Sequence, residues 1–301
     1  MNAKATAIKL SREDKLFAAI VYSIGFVLLL VVAYPLVYVV SASLSDPMEV
    51  ISGHVILLPH GFTPRAYLEV FKSSDILVGF ANTILYTVVG TAINMFMTTL
   101  AAYPLSRRDM AGHNVITLLI TFTMFFSGGM IPTFLTIKEL GMLNTIWAMV
   151  IPTAISVTNL LIMRNYFQNS VPGEIIEAAY MDGCSNVGTL IRVVIPISRA
   201  IFGVLLIYYF VGHWNSYMNA LLYMSDRSRY PLQVFLRQIL MQNTLADMAS
   251  GSSGDGAADI ALLYETLKYA VIVVASFPAL IIYPFMQKFF AKGIMIGSIK
   301  G

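Results

Sequence analysis

Residues 17–42 read FAAIVYSIGFVLLLVVAYPLVYVVSA and contain no Asp, Glu, Lys or Arg. A bilayer core about 30 Å thick requires about 20 apolar residues in helical form, because a helix satisfies its own backbone hydrogen bonds there. Basic residues precede the stretch, as in a signal peptide, but it greatly exceeds the apolar region of about 7 to 15 residues in such a peptide. We therefore predict that it remains in the membrane as an anchor.

Five further stretches of the chain are similarly long and apolar. Of the 301 residues, 57% are hydrophobic and only 12% are charged, whereas a soluble domain carries about 25% charged residues. This composition is typical of a membrane protein and disfavours a cytosolic enzyme. The sequence predicts an all-α polytopic membrane protein whose six transmembrane helices cover residues 17–42, 79–104, 115–137, 145–163, 200–222 and 269–287.

The distribution of basic residues predicts the orientation, because segments rich in Lys and Arg are retained on the cytoplasmic side. With the N-terminus inside, twelve of the 19 Lys and Arg residues fall on inner segments and seven on outer segments. We therefore predict that both termini are cytoplasmic. The domain organisation is then a cytoplasmic N-terminal segment (1–16), a six-span membrane domain (17–287) and a cytoplasmic tail (288–301).

Motifs for several other kinds of function are missing from the sequence. The single cysteine, Cys184, excludes an intramolecular disulfide, and no CxxC or Cys/His cluster is present to bind a metal. A net charge of +3 is too small to indicate nucleic-acid binding. No GxxxxGK[ST] phosphate-binding loop occurs, so this chain cannot hydrolyse ATP by that route. We expect no catalytic residue, cofactor or metal in the chain.

The outer loop between about residues 223 and 268 contains a predicted helix. Pro231 suits the first helical position, and the apolar residues that follow recur with helical spacing: Leu232, Phe235, Leu236, Ile239 and Leu240. Such a helix would lie along the outer membrane surface or cap the spans. Residues 250–256, SGSSGDG, then predict a flexible tip. Neither this loop nor residues 46–77 can bury a core of the size that a solute-binding domain needs, so another polypeptide would supply recognition outside.

The longest inner loop, residues 164–199, has the composition of two helices. Pro172 suits a helix start, and Gly183 suits a helix end in the left-handed conformation. A second helix is predicted from about Asn186 to Val194, before Pro196. On the first helix one apolar face contains Ile175, Ile176, Ala179 and Tyr180. This face either packs beneath the spans of this chain or receives another protein.

The order of residues in this loop is distinctive. Glu177-Ala178-Ala179 is followed after three residues by Gly183 and, after nine more, by residues 193–196, VVIP. The order closely resembles the E-A-A-x3-G-x9-I-x-L-P signature of permease subunits of bacterial ATP-binding-cassette (ABC) importers. Three further segments look like the carbohydrate-uptake branch of these permeases: 126–134 (FSGGMIPTF), 230–233 (YPLQ) and 292–297 (KGIMIG). That branch is similar to the six-span permease of the maltose transporter and includes permeases for longer oligosaccharides.

The resemblance implies a type I ABC importer permease fold with a cytoplasmic coupling helix-turn-helix. It also implies a bacterial cytoplasmic (inner) membrane location and a set of partners. A second permease subunit would form a heterodimer with this chain, two ATPase subunits would bind ATP and Mg, and an extracytoplasmic solute-binding protein would deliver the carbohydrate. The chain would then be a permease and not an enzyme.

The same resemblance implies roles for residues of the inner loop. Glu177 would orient the docking helix or pair with a basic residue of the ATPase, Ala178 and Ala179 would allow close seating, and Gly183 would set the turn. The expected coupling residues are Ile175, Ile176, Glu177, Ala178, Ala179, Tyr180, Gly183 and Pro196.

Polar and aromatic residues within the spans are candidates for the translocation pathway, because a sugar needs hydrogen-bond partners and a lipid-facing amide is unfavourable. They are Asn82, Tyr86, Asn94, Asn159, Trp214, Asn215, Tyr217 and Asn219. The same residue types also join helices together or mark the membrane interfaces. We further expect Gly128, Gly129 and Pro132 to break the third span, and His213 to be a buried, hydrogen-bonded neutral histidine.

Two other classes of membrane protein compete with this interpretation. A secondary transporter usually has an ionisable or unwound coupling site at mid-membrane, yet no Asp or Glu lies inside any predicted span. An intramembrane enzyme is disfavoured because the sequence has no HExxH motif and Cys184 lies in the inner loop. A secondary transporter or channel-like protein for a small polar solute remains the alternative.

The predicted orientation is testable by cysteine labelling. Ser253→Cys should react with a membrane-impermeant thiol reagent added to intact cells or spheroplasts, because residue 253 falls in a predicted outer loop. Native Cys184 should stay unlabelled until the membrane is opened. Labelling of Cys184 alone would reverse the orientation.

Overall fold

The computed structural model of the chain describes residues 11–249, 262, 264–282 and 284. In these residues every regular element is helical. The α-helices are α1 Arg12–Ser43, α2 Pro47–Ile51, α3 Arg65–Lys72, α4 Ser74–Ser106, α5 His113–Phe125, α6 Met130–Glu139, α7 Ile146–Val150, α8 Val157–Ser170, α9 Gly173–Met181, α10 Asn186–Thr189, α11 Ile195–Ile197, α12 Arg199–Trp214, α13 Met218–Tyr223, α14 Leu232–Ala249 and α15 Tyr264–Ile282. Short 3-10 turns occupy Ile151–Thr153 and Arg227–Arg229, and a π-helical turn occupies Leu190–Val194.

By length and apolarity, three single helices and up to three bent pairs of helices correspond to the six predicted spans. The helices α1, α4 and α15 are each long and apolar enough to cross a membrane. The pairs are α5 with α6, bent by 110°, Ile146–Thr153 with α8, bent by 51°, and Asn186–Ile197 with α12, bent by 85°. The structure therefore confirms the predicted fold class, an all-α polytopic membrane protein.

The bends change the predicted course of three spans. The expected break in the third span is present, and Gly129 precedes α6 with a φ of +87°. The fourth span was expected to be continuous, but a 3-10 turn that contains Pro152 interrupts it. The fifth was expected to reach residue 222, but α12 ends at Trp214. Residues 1–10, the tip at 250–256 and the tail at 288–301 lie outside the described residues.

The described residues divide into two compact units, and the first comprises residues 11–72, 242–249, 262 and 264–273. In α1 every large apolar side chain from Leu16 to Leu36 is exposed, as expected of a helix surrounded by lipid. Only the last turn of α1 is buried. There the Ser41 hydroxyl donates to the carbonyl of Leu57 at 2.6 Å, and the Ser43 hydroxyl bonds to the Tyr67 hydroxyl at 2.7 Å.

The second unit comprises the described residues 73–241, 274–282 and 284, and its centre is α4 packed against α8 and α12. Lipid is as apolar as the helix surfaces, so these contacts are stabilised mainly by close packing and interhelical hydrogen bonds. The buried cluster combines Ala102, Tyr103 and Leu105 of α4 with Leu160, Met163 and Phe167 of α8 and Ile201, Leu205 and Tyr209 of α12.

One face of α4 is polar and turned inward. Its buried polar residues recur every three or four positions at Thr83, Thr87, Thr91, Asn94 and Thr98. Thr83 accepts a hydrogen bond from the Leu232 amide at 2.8 Å, and the Thr98 and Tyr209 hydroxyls lie 2.6 Å apart. The helix therefore presents polar groups to the protein and apolar groups to lipid.

Gly90 lets α4 and α12 approach closely. A Cβ atom at Gly90 would lie 2.5 Å from the Cε1 and Nε2 atoms of His213. We predict that Gly90→Ala destabilises the protein by about 1–3 kcal/mol, the usual cost of overpacking. The thermal midpoint of the purified complex in detergent measures this loss.

The matched control is Gly25→Ala in α1, where nothing lies within 4 Å of the added Cβ. This variant should leave the thermal midpoint unchanged or slightly raised, because Ala favours helix over Gly. Equal midpoints for Gly90→Ala and wild type would contradict the packing described above.

Candidate functional site

A polar cavity of about 370 Å³ lies between α4, α8 and the break after α12. Among the described residues its walls carry hydroxyl, amide, imidazole and phenol groups and no Asp, Glu, Lys or Arg. The lining residues are Asn94, Thr153, Ser156, Asn159, Tyr208, Tyr209, Gly212, His213, Asn215, Ser216, Tyr217, Met218 and Asn219.

Asn94 fixes one wall of the cavity. Its side chain is fully buried, and its Nδ2 donates to the Thr153 carbonyl. Its Oδ1 accepts a hydrogen bond from His213 Nε2 at 2.5 Å. As predicted, His213 is buried and hydrogen-bonded. Asn94 thus joins three separate elements at the cavity surface.

The break after α12 forms another wall. The Asn215 Nδ2 donates to the Val211 carbonyl at 3.0 Å, and the Ser216 amide donates to the His213 carbonyl at 3.1 Å. The Ser216 bond satisfies a carbonyl that a continuing helix would have used, whereas the Val211 carbonyl also keeps its helical bond from the Asn215 amide at 3.1 Å. Non-helical backbone at membrane depth is tolerated where it borders a polar cavity, which is the position of residues 215–217.

Five of the eight predicted pathway residues line the cavity: Asn94, Asn159, Asn215, Tyr217 and Asn219. Their contact with a substrate stays a prediction. The lining also contains residues that the sequence analysis missed, among them Thr153, Ser156 and Tyr208. The first two lie at the unexpected bend of the fourth span. Tyr208 lies in α12 before His213. Its position within the predicted fifth span was the signal that could have identified it as a pathway candidate.

The other three predicted pathway residues do not reach the cavity. The Asn82 Nδ2 donates to the carbonyls of Ser228 (2.8 Å) and Tyr230 (3.1 Å), and the Tyr86 hydroxyl donates to the Arg229 carbonyl at 2.8 Å. The Trp214 Nε1 donates to the Ala275 carbonyl at 2.9 Å. These bonds match the alternative role, joining elements together, and contact of these residues with a substrate also stays a prediction.

The first helix of the inner loop, α9, ends as the sequence predicts. Gly183 has a φ of +81°, in the left-handed region. The Cys184 amide donates to the Ala179 carbonyl and the Gly183 amide to the Tyr180 carbonyl, both at 2.9 Å. These two bonds form a Schellman motif, which closes the helix end.

The second helix of the inner loop starts at Asn186, where the Ser185 hydroxyl accepts the Gly188 amide. It passes through the π-helical turn into α11, which contains Pro196 and ends beside the 85° bend before α12. The predicted helix-turn-helix is therefore present over residues 173–197.

The burial of α9 differs from the expected arrangement. Ile176 is half-buried against the α4–α8–α12 cluster, and Ala179 is only 7% exposed. Ala179, which was expected to seat an ATPase, is thus buried within this chain, because its side of the helix faces the protein. On α9 the exposed residues include Ile175, Glu177, Ala178 and Met181. On the second helix of the inner loop, the apolar residues Val187 and Ile191 are also exposed.

Hydrogen bonds tie the turn after α9 to the segment after α4. The Arg107 guanidinium donates to the Tyr180 hydroxyl at 2.7 Å, and this hydroxyl donates to Asn186 Oδ1. The same guanidinium binds both carboxylate oxygens of Asp109, at 2.8 and 2.6 Å. These bonds lower the pKa of Asp109 and raise that of Arg107. The pair therefore stays charged at neutral pH, and acid below the usual carboxyl pKa removes it.

No group of three or more His, Cys, Asp or Glu residues that could hold a metal ion occurs in the part of the chain that the structure describes. Three features together define a membrane transport subunit. They are helices long enough to cross a membrane, a polar cavity bordered by broken helices, and a helix-turn-helix.

Comparison with known proteins identifies the family of this subunit. The chain is 42% identical over 294 residues to the polygalacturonan/rhamnogalacturonan transport system permease protein YtcP of Bacillus subtilis (strain 168), covering 96% of this chain and all of YtcP. It is 41% identical over 267 residues to protein LplC of the same organism, covering 89% of each chain. No family model matches the chain.

A solved structure agrees with these relatives. It is the crystal structure of a bacterial ABC transporter involved in the import of the acidic polysaccharide alginate, with a TM-score of 0.82 and 31% identity over 94% of this chain and all of the matched chain. The protein therefore belongs to the permease subunits of bacterial carbohydrate ABC importers. It is a multi-pass inner-membrane protein and not an enzyme, and a separate ATPase and a substrate-binding protein complete such an importer.

The left-handed conformation at Gly183 is testable with a matched pair of variants. Gly183→Ala adds a Cβ that meets nothing within 4 Å, so its cost is the backbone strain alone, roughly 1–2 kcal/mol. Amide hydrogen exchange in residues 173–190 should become roughly 5 to 30 times faster, since that is the corresponding change in the opening equilibrium.

Gly173→Ala is the control, because its Cβ also meets open space but Gly173 does not have a positive φ. Its exchange should match that of the wild type. Unchanged exchange in Gly183→Ala would show that the turn is not strained by a side chain.

Proposed function

We propose that the chain forms one half of the translocation pathway for an oligosaccharide and that a second, different permease chain forms the other half. The observation that carries the proposal is the polar cavity, whose described lining is rich in uncharged hydrogen-bonding groups and tyrosines. Amides and hydroxyls match the many hydroxyl groups of a sugar, and the rings of Tyr208 and Tyr217 suit the flat faces of pyranose rings. The names of YtcP and of the alginate importer support a saccharide substrate.

The exposed side of the inner helix-turn-helix is the proposed contact with the ATPase. Met181 is 88% exposed, and Ile175, Val187 and Ile191 are exposed as well. Apolar side chains on a non-lipid surface favour a protein partner. Glu177 lies on the same exposed side and is available for a basic residue of the ATPase. ATP and Mg would bind to that partner.

Coupling then requires that this contact favour one of two states of the permease, because a partner with equal affinity for both states shifts nothing. In the proposed orientation both termini and residues 164–199 are cytoplasmic, as the basic residues predict. The cavity would open alternately to the two sides. A secondary transporter is less consistent with the site, because no Asp or Glu is among the described lining residues.

ATP-driven uptake in proteoliposomes tests this function. The complete importer, comprising both permeases, the ATPase subunits and the binding protein, should accumulate a radiolabelled oligosaccharide only with ATP. Met181→Glu should lose both the ATPase subunits and uptake. Burying an unpaired charge costs several kcal/mol, a large part of the roughly 8 kcal/mol that holds a micromolar partner.

Met181→Leu is the control, since it keeps an apolar side chain of similar size and should retain the ATPase and uptake. Full uptake by Met181→Glu would contradict the proposed contact. Uptake by the permease without any ATPase would instead favour a secondary transporter.

A further inference from the structure

Two side chains of α14 reach the break that borders the cavity. The Gln233 Nε2 donates to Asn215 Oδ1 at 3.4 Å. One turn later, the Arg237 Cζ lies 5.0 Å from the centroid of the Tyr217 ring. Asn215 and Tyr217 both line the cavity. The guanidinium of Arg237 therefore lies against a residue of the cavity lining.

The charge of Arg237 is not neutralised within the described part of the chain. Two arginines that precede α14, unlike Arg237 within it, have carboxylate partners. Arg227 binds Asp75 at 2.7 Å, and Arg229 lies 3.6 Å from Asp226. No ion pair involves Arg237 among the described residues, and its side chain is exposed. The described lining has no charged residue, and Arg237 is a charged group in contact with one of its residues, Tyr217.

A stacked arginine is well suited to one kind of ligand. The planar guanidinium presents several N–H donors in a fork that matches the two oxygens of a carboxylate. Stacking on an aromatic ring leaves these donors at the edge of the guanidinium free and restricts its orientation. A sugar that carries only hydroxyl groups needs no charged partner, because the neutral amides and hydroxyls of the cavity can form its hydrogen bonds.

We infer that Arg237 is a specificity-determining residue that selects oligosaccharides with carboxylate groups, such as those of uronic acids. This inference rests on the proposed function and adds the charge of the substrate to it. Trigalacturonate and its fully methyl-esterified form are matched probes, because they share sugar rings and length and differ in charge.

The experiment measures kcat/KM for ATP-driven uptake of both probes by the complete importer in proteoliposomes. Arg237→Gln should lower kcat/KM for the acid by roughly 10- to 100-fold, the usual effect of losing a charge-assisted contact. Uptake of the ester should change by less than about twofold. Arg237→Lys should restore part of the preference, because it retains the charge without the fork. The binding protein is the same throughout, so the change in the ratio reports on the permease.

Arg227→Gln is the control for loss of positive charge nearby, because Arg227 is paired with Asp75 and lies over the ring of Phe235, neither of which lines the cavity. It should leave the acid-to-ester ratio unchanged. An equal loss of both probes in Arg237→Gln would show that the stacked arginine only supports the wall, and the inference would be wrong.

ATP-driven uptake of neutral oligosaccharides with no preference for the acid would also overturn the inference, while the proposed function would stand. If the wild-type importer took up no oligosaccharide with ATP, the proposed function itself would fail.

Discussion

The lack of water in the bilayer core is the constraint on which the rest of the structure depends. A backbone N–H or C=O without a partner there costs several kcal/mol, so helices are favoured and each break needs a polar surface to face. The fourth span bends at residues 154–156, and the fifth ends at Trp214. Ser156 and residues 215–217, which follow directly, border the polar cavity. At these two breaks the constraint places non-helical backbone beside the cavity, whereas the break at Gly129 is not part of the described lining.

The unbroken helix α4 connects the features on which the transport subunit depends. Asn94, in its middle, fixes the cavity wall through bonds to Thr153 and His213. Arg107, directly after its end, binds Tyr180 in the inner helix-turn-helix. One continuous helix thus runs from the cavity to the coupling segment, and the proposed coupling needs such a connection. Its polar face is buried along this length, and of these buried polar residues Asn94 also lines the cavity.

Much of the fold could be predicted because its signals are local. The length and apolarity of a stretch are enough to indicate a span, and Gly183 indicates a helix end because only glycine adopts a left-handed φ without strain. The bends were harder to predict. Gly129 indicates the break in the third span. In contrast, the end of α12 at Trp214 depends on hydrogen bonds among residues 211–216, which the apolar pattern of the sequence does not indicate.

The sequence by itself predicted an all-α membrane protein with up to six spans and a helix-turn-helix between the fourth and fifth, since both follow from residue order and hydropathy. Only the tertiary structure decided what the polar residues do. Asn82 and Asn94 are both amides within one apolar helix, yet Asn82 donates to the backbone carbonyl of Ser228 while Asn94 lines the cavity. Ala179 likewise faces the protein interior although its neighbour Ala178 is exposed. The partners of such side chains come from distant parts of the chain, and a local pattern carries no information about which of them will be near.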